Sequence, residues 1–322
     1  MMDEAWMESG SVGHVPVMAR AVLDALGVDR ATVYADATAG LGGHAIAAAA
    51  RMPADGVVVL NDADGATLER ARALVAAASP GRRVEAIQGN FAELPRRLAE
   101  RGLAADAVLA DLGFSSVQVD EAGRGFSFMR DGPLDMRFDP TRGASAADLV
   151  ATMSVEELAA ILWEYGEERG SRRVAERIVA RRAVRPISTT GDLASVVVEA
   201  LGPRGGGPRI HPATRTFQGL RIAVNDELGC LRSFLESVGR AAAQHRSGAG
   251  HGTSWLRPGA RVAIITFHSL EDRIVKEAVR DMEARGVARS VTRKPIEAGA
   301  DEVARNPRSR SAKVRAVELC VV

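Results

Sequence analysis

Apolar residues in the first third of the chain follow two alternating rhythms. Val33-Tyr34-Ala35-Asp36, Val57-Val58-Val59-Leu60, Val84 to Gln88 and Ala107-Val108-Leu109-Ala110-Asp111 are short apolar runs closed by polar residues. Runs of this length and β-branched content read as buried strands. Between them lie helical stretches. One is Ala-rich and ends near Arg51. A second, Ala66 to about Ala78, carries Leu68, Ala71 and Leu74 on one face. A third follows Asn90, with Phe91, Leu94 and Leu98 at helical spacing. Strands alternating with helices predict parallel pairing through right-handed crossovers.

The rhythm stops after Asp111. No strand-like run is evident from Leu112 to about Thr214, and residues 113–143 form a Gly-, Ser- and Asp-rich loop. Helices are predicted at Ala146 to Thr152, Val155 to Trp163, Arg169 to Ala183 and Gly191 to Leu201. Thr189 or Thr190 can cap the last. Pro203 to Pro208 is a Gly/Pro breaker. From about Thr214, the stripe Leu220, Val224, Leu228, Leu231, Leu235 and Val238 recurs at steps of three and four. That spacing predicts one long amphipathic helix, packed on the sheet or on a partner copy. After a loop from Ser247 to Gly259 come a fifth strand, Val262 to Phe267, a helix from Ser269 to Arg285, and two closing strands, Arg289 to Arg293 and Lys313 to Val322. The predicted fold is α/β: a doubly wound, Rossmann-like sheet from residues 1–112 and 215–322, interrupted by a mainly helical insertion at 113–214.

Composition narrows the class. A chain of 322 residues with 46% hydrophobic and 26% charged residues belongs to a soluble globular protein. Cys230 and Cys320 form no C-x-x-C pair and the histidines no H-x-x-x-H pair, so no metal site is expected. No apolar run approaches the roughly 18 residues of a membrane span. The first thirteen residues carry Asp3, Glu4 and Glu8 and no basic residue, unlike a signal or transit peptide; a cytoplasmic location is expected. The net charge of +1 gives no global sign of nucleic-acid binding. The basic residues are nearly all arginine, with only Lys276, Lys294 and Lys313 as lysines. Arginine forks suit phosphate, although genomic composition produces the same bias.

Candidate chemistry gathers at strand ends. Asp36-Ala-Thr-Ala-Gly40-Leu-Gly-Gly-His44 sits where the first strand turns into its helix. Glycines there admit a ligand to the backbone, and the helix start offers unpaired N–H groups. Asp62 closes the second strand, where a carboxylate can accept from both ribose hydroxyls. These features imply an adenosine-containing cofactor. Gly40-x-Gly42-x-x-Ala45 satisfies the loose dinucleotide pattern, so an NAD-dependent oxidoreductase stays open. Asp36, placed to hold a methionine amino group, and Asp111, at the switch point of the sheet, lean toward S-adenosylmethionine. Any of these aspartates can equally be a strand-end cap.

Several longer segments carry a resemblance. Asp111-Leu-Gly-Phe-Ser-Ser-Val-Gln-Val-Asp120 and Arg124-Gly-Phe-Ser-Phe-Met-Arg-Asp-Gly-Pro-Leu-Asp-Met-Arg-Phe-Asp139 are two. Tyr165-Gly-Glu-Glu-Arg169, His211-Pro-Ala-Thr-Arg-Thr-Phe-Gln218 and Leu220-Arg-Ile-Ala-Val-Asn-Asp-Glu-Leu228 follow. Phe267-His-Ser-Leu-Glu-Asp-Arg-Ile-Val-Lys276 and Asn306-Pro-Arg-Ser-Arg-Ser-Ala-Lys313 complete the set, with His14-Val-Pro-Val17 at the start. Over nearly its whole length the chain resembles the bacterial 16S rRNA cytosine-N4 methyltransferases.

That resemblance implies methyl transfer from S-adenosylmethionine to the exocyclic N4 of a cytosine near the decoding centre. The implied partner is 16S rRNA or the small ribosomal subunit, with no membrane and a monomer or homodimer. A non-catalytic RNA-binding assembly factor is the other open reading. Implied cofactor contacts are Gly42, Gly43, His44, Asp62, Phe91, Asp111 and Gln118. Asp111, aided by backbone carbonyls of Leu112 to Ser115, is the first candidate to accept an N4 proton. His268, after the fifth strand, is the second, or else a structural histidine. Arg137, Arg215, Arg221, Arg273, Lys276, Arg308 and Arg310 are expected to face RNA phosphates, with pairing to nearby acids as the alternative. Departures are Leu41 for a common Arg, Asn61 for an apolar residue, Ala63-Asp64-Gly65 for a usual Arg-Asp-Pro, and Gly219 for Ala within the long helix.

Overall fold

The computed structural model describes residues 15–113, 118–119, 121–202, 211–247 and 254–321. The breaker Pro203 to Pro208, His14, the carbonyls of Phe114 and Ser115, and residues 248–253 of the Ser247–Gly259 loop lie outside the described residues. The chain divides into two units, one built from Met1–Gly113 and Leu228–Val322, the other Phe114–Glu227.

The first unit is a sheet in the order β3-β2-β1-β4-β5-β8-β6, with β7 paired to β8. Its strands are β1 Val33–Asp36, β2 Val57–Asp62, β3 Val84–Gln88, β4 Ala105–Asp111, β5 Leu256–Thr266, β6 Ala288–Ser290, β7 Ile296–Glu297 and β8 Lys313–Leu319. Pairing is parallel from β3 through β5. β8 runs antiparallel to β5, β6 and β7. Strand order reverses between β1 and β4, which is the switch point where ligands bind in such sheets.

Both faces are covered, which is why the inner strands β1, β2 and β4 are largely apolar. On one face Val59, Ile87, Val108, Val262 and Ile264 meet Leu94, Leu231, Phe234, Leu235, Val238 and Val275. On the other Val58, Leu60, Leu109, Ala263 and Ile265 meet Val22, Leu23, Ala45, Ala48, Leu68, Ala71 and Val75.

Several elements differ from the sequence reading: helices Ala19–Leu26 and Ala300–Arg305 and strand β7 were not expected, and the strand expected at Arg289 to Arg293 is the shorter β6. β5 begins at Leu256, inside the expected loop, because Leu256 pairs with Ala105 across an irregularity before the regular register resumes at Arg261. The long helix expected from Thr214 is two helices, Ala213–Asn225 and Glu227–Arg246. Asp226 between them adopts φ 47°, the left-handed conformation that stops a helix and that aspartate tolerates better than most residues. The apolar stripe is accordingly shared. Leu220 is buried in the inserted unit, whereas Leu231, Leu235 and Val238 are buried against the sheet. The second boundary of the insertion therefore falls after Glu227, not after Thr214.

The inserted unit is helical, with Ala146–Thr152, Val155–Glu164, Ser171–Arg182, Thr190–Leu201 and Ala213–Asn225 around Leu158, Leu162, Val174, Ile178, Val196 and Phe217. Ser145 and Ser154 open their helices with reciprocal capping boxes, and Thr189 caps Thr190–Leu201 through Asp192 N–H. The only strand-like pairing among its described residues is a single bridge, Pro133 to Thr189.

Candidate active site

The glycine loop is held by the aspartates that frame it. Asp62 Oδ2 accepts from Gly40 N–H at 2.9 Å, and its Oδ1 accepts from Asp64 N–H at 2.9 Å. Asp64, in the segment that departs from the family pattern, caps helix Gly65–Ala78 by accepting from Ala66 and Thr67 N–H. Asn61 donates to the carbonyls of Ala37 at 2.8 Å and Gly89 at 3.0 Å, tying the β1, β2 and β3 ends together. Its polarity, at a position the family usually fills with an apolar residue, is thus used inside the fold.

Gly42 has φ 81° and precedes helix Gly43–Arg51. A Cβ there would lie 2.9 Å from Val75 Cγ2. Gly42→Ala is expected to cost on the order of 2 kcal/mol, from left-handed strain and overpacking together. A lowered melting temperature checks this; an unchanged melt means the loop relaxes freely.

Thr38 joins two strand ends. Its N–H donates to Asp36 Oδ1 at 3.2 Å, and its hydroxyl accepts from Asp111 N–H at 2.7 Å. Sequence reading missed Thr38; the available signal was a hydroxyl residue two positions after a strand-end aspartate. Asp111 Oδ2 lies 3.5 Å from His44 Nε2, an ion-pair distance without hydrogen-bond geometry. Asp111 Oδ1 and both His44 ring nitrogens are buried without a hydrogen-bond partner among the described residues. Polar atoms in this state can be met by a ligand or by water.

Asp36 is 1% exposed, with the Tyr34 hydroxyl 3.4 Å from its Oδ2. Burial pushes its carboxyl up to about 7, partly opposed by His44 and the Thr38 N–H and reinforced by Asp111 and Asp62. Burial likewise pushes the Tyr34 phenol up, so it stays a hydroxyl donor. Between the ordinary 3.8 and about 7, the folded protein binds a proton at Asp36 that the unfolded chain has released. Stability from this group is complete at low pH and is lost as pH rises through that window. Asp36→Asn removes the dependence. Its melting temperature is expected to match wild type near pH 4 and exceed it at pH 8, by up to about 4 kcal/mol of stability. Parallel pH profiles would rule this out.

Phe91 opens the turn after β3 and is half-buried, edge-on to Phe234 with ring centroids 5.7 Å apart. One side is thus core while the turn itself lies at the carboxyl edge. Asn90 accepts from Ala92 N–H and donates to Cys230 Sγ at 3.0 Å, fixing that turn. Gln118 belongs to the inserted unit and is buried there.

Other candidates find different work. His268 is the N-cap of helix Ser269–Ala284: its Nδ1 accepts from Glu271 N–H, and its Nε2 lies 3.1 Å from Glu271 Oε1. Glu271 in return accepts from the N–H groups of Phe267 and His268. The structure shows this histidine in a capping role, the structural reading weighed for it. Arg137 is paired bidentately with Asp135 at 2.7 and 2.9 Å. Arg221 is buried and paired bidentately with Glu227 at 2.7 and 3.0 Å. Both arginines pair with carboxylates close to them in sequence, the alternative weighed for each. Arg273, Lys276, Arg308 and Arg310 are exposed, and Arg215 is half-exposed. Arg308 and Arg310 lie in Pro307–Ser311, which leads into Lys313 at the start of β8, paired with Thr266 at the carboxyl end of β5.

Known proteins share this arrangement's sequence. A protein of Sorangium cellulosum named ribosomal RNA small subunit methyltransferase H is 48% identical, over 94% of this chain and 90% of its own. One of the same name from Acidobacterium capsulatum is 44% identical over 95% and 98%. The model of the MraW methylase family matches residues 11–320, nearly the entire length; the chain belongs to the MraW methylase family.

Proposed function

We propose that this protein transfers the methyl group of S-adenosylmethionine to the exocyclic N4 amine of a cytosine in 16S rRNA, near the decoding centre of the small subunit. The observation that carries the reading is the Asp111–His44 pair, set beside the Asp62-held glycine loop at the sheet's switch point. Membership of a methylase family favours methyl over hydride transfer at this loop. The names of the relatives supply rRNA as the substrate class.

The chain's residues fit the cofactor. Asp62 closes β2 at the carboxyl edge, where its carboxylate can accept from ribose hydroxyls. Gly42 and Gly43 keep the backbone approachable, and Phe91 offers an aromatic edge beside the adenine position. Asp36 faces the amino-acid end. When bound, the sulfonium supplies an electrophilic methyl group, so no metal is required.

The remaining task is nucleophile preparation. The N4 lone pair is delocalised into the ring, and a hydrogen-bond acceptor on an N4 proton pulls the nitrogen toward tetrahedral geometry. Asp111 is that acceptor, and alignment supplies much of the acceleration. The cytosine must be single-stranded or flipped from its stack. Arg215, Arg273, Lys276, Arg308 and Arg310 are assigned to RNA phosphates.

The test is mass-spectrometric mapping of rRNA in cells lacking the protein, with methyl transfer from labelled donor to naked 16S rRNA and to small subunits in parallel. Loss of one N4-methylcytosine mark, restored by the purified protein, is expected. An unchanged modification map would sink the reading. RNA binding without transfer would instead favour an assembly factor.

A further inference from the structure

Three adjacent strand ends deliver carboxyl groups to one place: Asp36 from β1, Asp62 from β2 and Asp111 from β4. The charges of Asp62 and Asp111 both oppose ionisation of Asp36. Facing it from its own strand is the Tyr34 hydroxyl, from the glycine loop the Thr38 N–H, and from helix Gly43–Arg51 the His44 ring. Among the groups acting most strongly on Asp36, His44 alone can carry positive charge; no lysine or arginine is among them. His44 and Asp111 meanwhile keep buried polar atoms without hydrogen-bond partners among the described residues.

A fully buried carboxyl flanked by two others, with a histidine as the one nearby group able to offset it, is electrostatically incomplete. Such a group holds a proton until a cation replaces it. We propose that capture of a cationic methyl donor at this edge expels a proton from the Asp36 carboxyl, so that Asp36 selects a positively charged ligand and ties its affinity to pH. The proton leaves to solvent, and the carboxylate left behind faces the ligand's ammonium. The inference rests on the cofactor reading above and adds to it a proton count. It is supported by the near-neutral titration of Asp36, about 7, which places the exchange in the physiological range.

Isothermal titration calorimetry on the whole protein, repeated in buffers of different ionisation enthalpy, counts the protons. S-adenosylmethionine is expected to release about 0.5 proton per molecule bound at pH 7 and about 0.9 at pH 6. Its affinity should strengthen by up to about tenfold per pH unit between pH 5.5 and 7, a range in which the donor's own amino group stays protonated. 5′-Methylthioadenosine, which keeps the adenosine and lacks the ammonium and sulfonium, should release none. Asp36→Asn should bind the donor without proton release and with little pH dependence. Donor binding with no release by the wild type overturns the inference and leaves the cofactor reading standing. Equal release by methylthioadenosine, or unchanged release in Asp36→Asn, overturns it too. Failure of the wild type to bind the donor at any pH removes the cofactor reading, and this inference with it.

Discussion

Asp111→Ala is expected to slow methyl transfer about 10²–10⁴-fold, the usual worth of a positioned proton acceptor, while RNA affinity stays at the wild-type level. The expectation comes from how the side chain is held. The backbone N–H of Asp111 is anchored by the Thr38 hydroxyl, and β4 is paired on both sides, to β1 and β5. Removing the carboxylate therefore leaves the strand end in place. The carboxylate itself makes only the 3.5 Å approach to His44, and one of its oxygens is buried without a partner among the described residues. A side chain tied into the fold would have more to lose structurally; this one has its unmet hydrogen-bonding capacity to offer a substrate. Asp111→Asn separates charge from shape: it keeps the volume, weakens the acceptor and should fall between wild type and alanine. Single-turnover transfer from labelled donor, with filter binding of the same RNA, reads both quantities. A wild-type rate in the alanine variant would take Asp111 out of the chemistry.

The sheet was legible because strands buried on both faces must be apolar almost throughout. Val33–Asp36 is buried at all four positions, and Val57–Asp62 is apolar until its last two. The strand-end acids stood out as a group: any one can be a strand-end cap, but three beside one glycine loop mark a ligand edge. The helix break at Asp226 was hidden because apolar spacing of three and four runs through it unaltered. A single left-handed residue changes direction without disturbing the count, and the two halves of the stripe then serve different cores. Arg257, Pro258 and Gly259 read as loop residues, yet β5 passes through them. Arginine roles were the least legible. Whether a guanidinium meets a phosphate or a carboxylate depends on a backbone turn that spacing does not reveal, as with Asp135 beside Arg137. His268 stood between a proton acceptor and a structural histidine, and the Glu three residues on is the capping-box signal for the second.

Arg221→Ala is expected to destabilise the inserted unit by about 3–5 kcal/mol, because Glu227 would lose its bidentate cationic partner while staying buried. Arg221 is 9% exposed and Glu227 8%. Their two parallel hydrogen bonds span the left-handed residue Asp226. The pair thus links the end of helix Ala213–Asn225 to the residue that opens the next helix. Nearby, Asn225 donates to the carbonyls of Met136 and Arg221 and accepts from Phe138 N–H, so the turn is joined to the 136–138 loop. The double variant Arg221→Met with Glu227→Met removes both charges and fills similar volume, and it should recover most of the loss. Urea denaturation, with hydrogen exchange over residues 213–225, measures both variants. If Arg221 instead served RNA, the single substitution would leave the melt and the exchange rates unchanged and weaken RNA binding with a shallower salt dependence. The two roles predict opposite pairs of results, and the buried bidentate geometry favours the first.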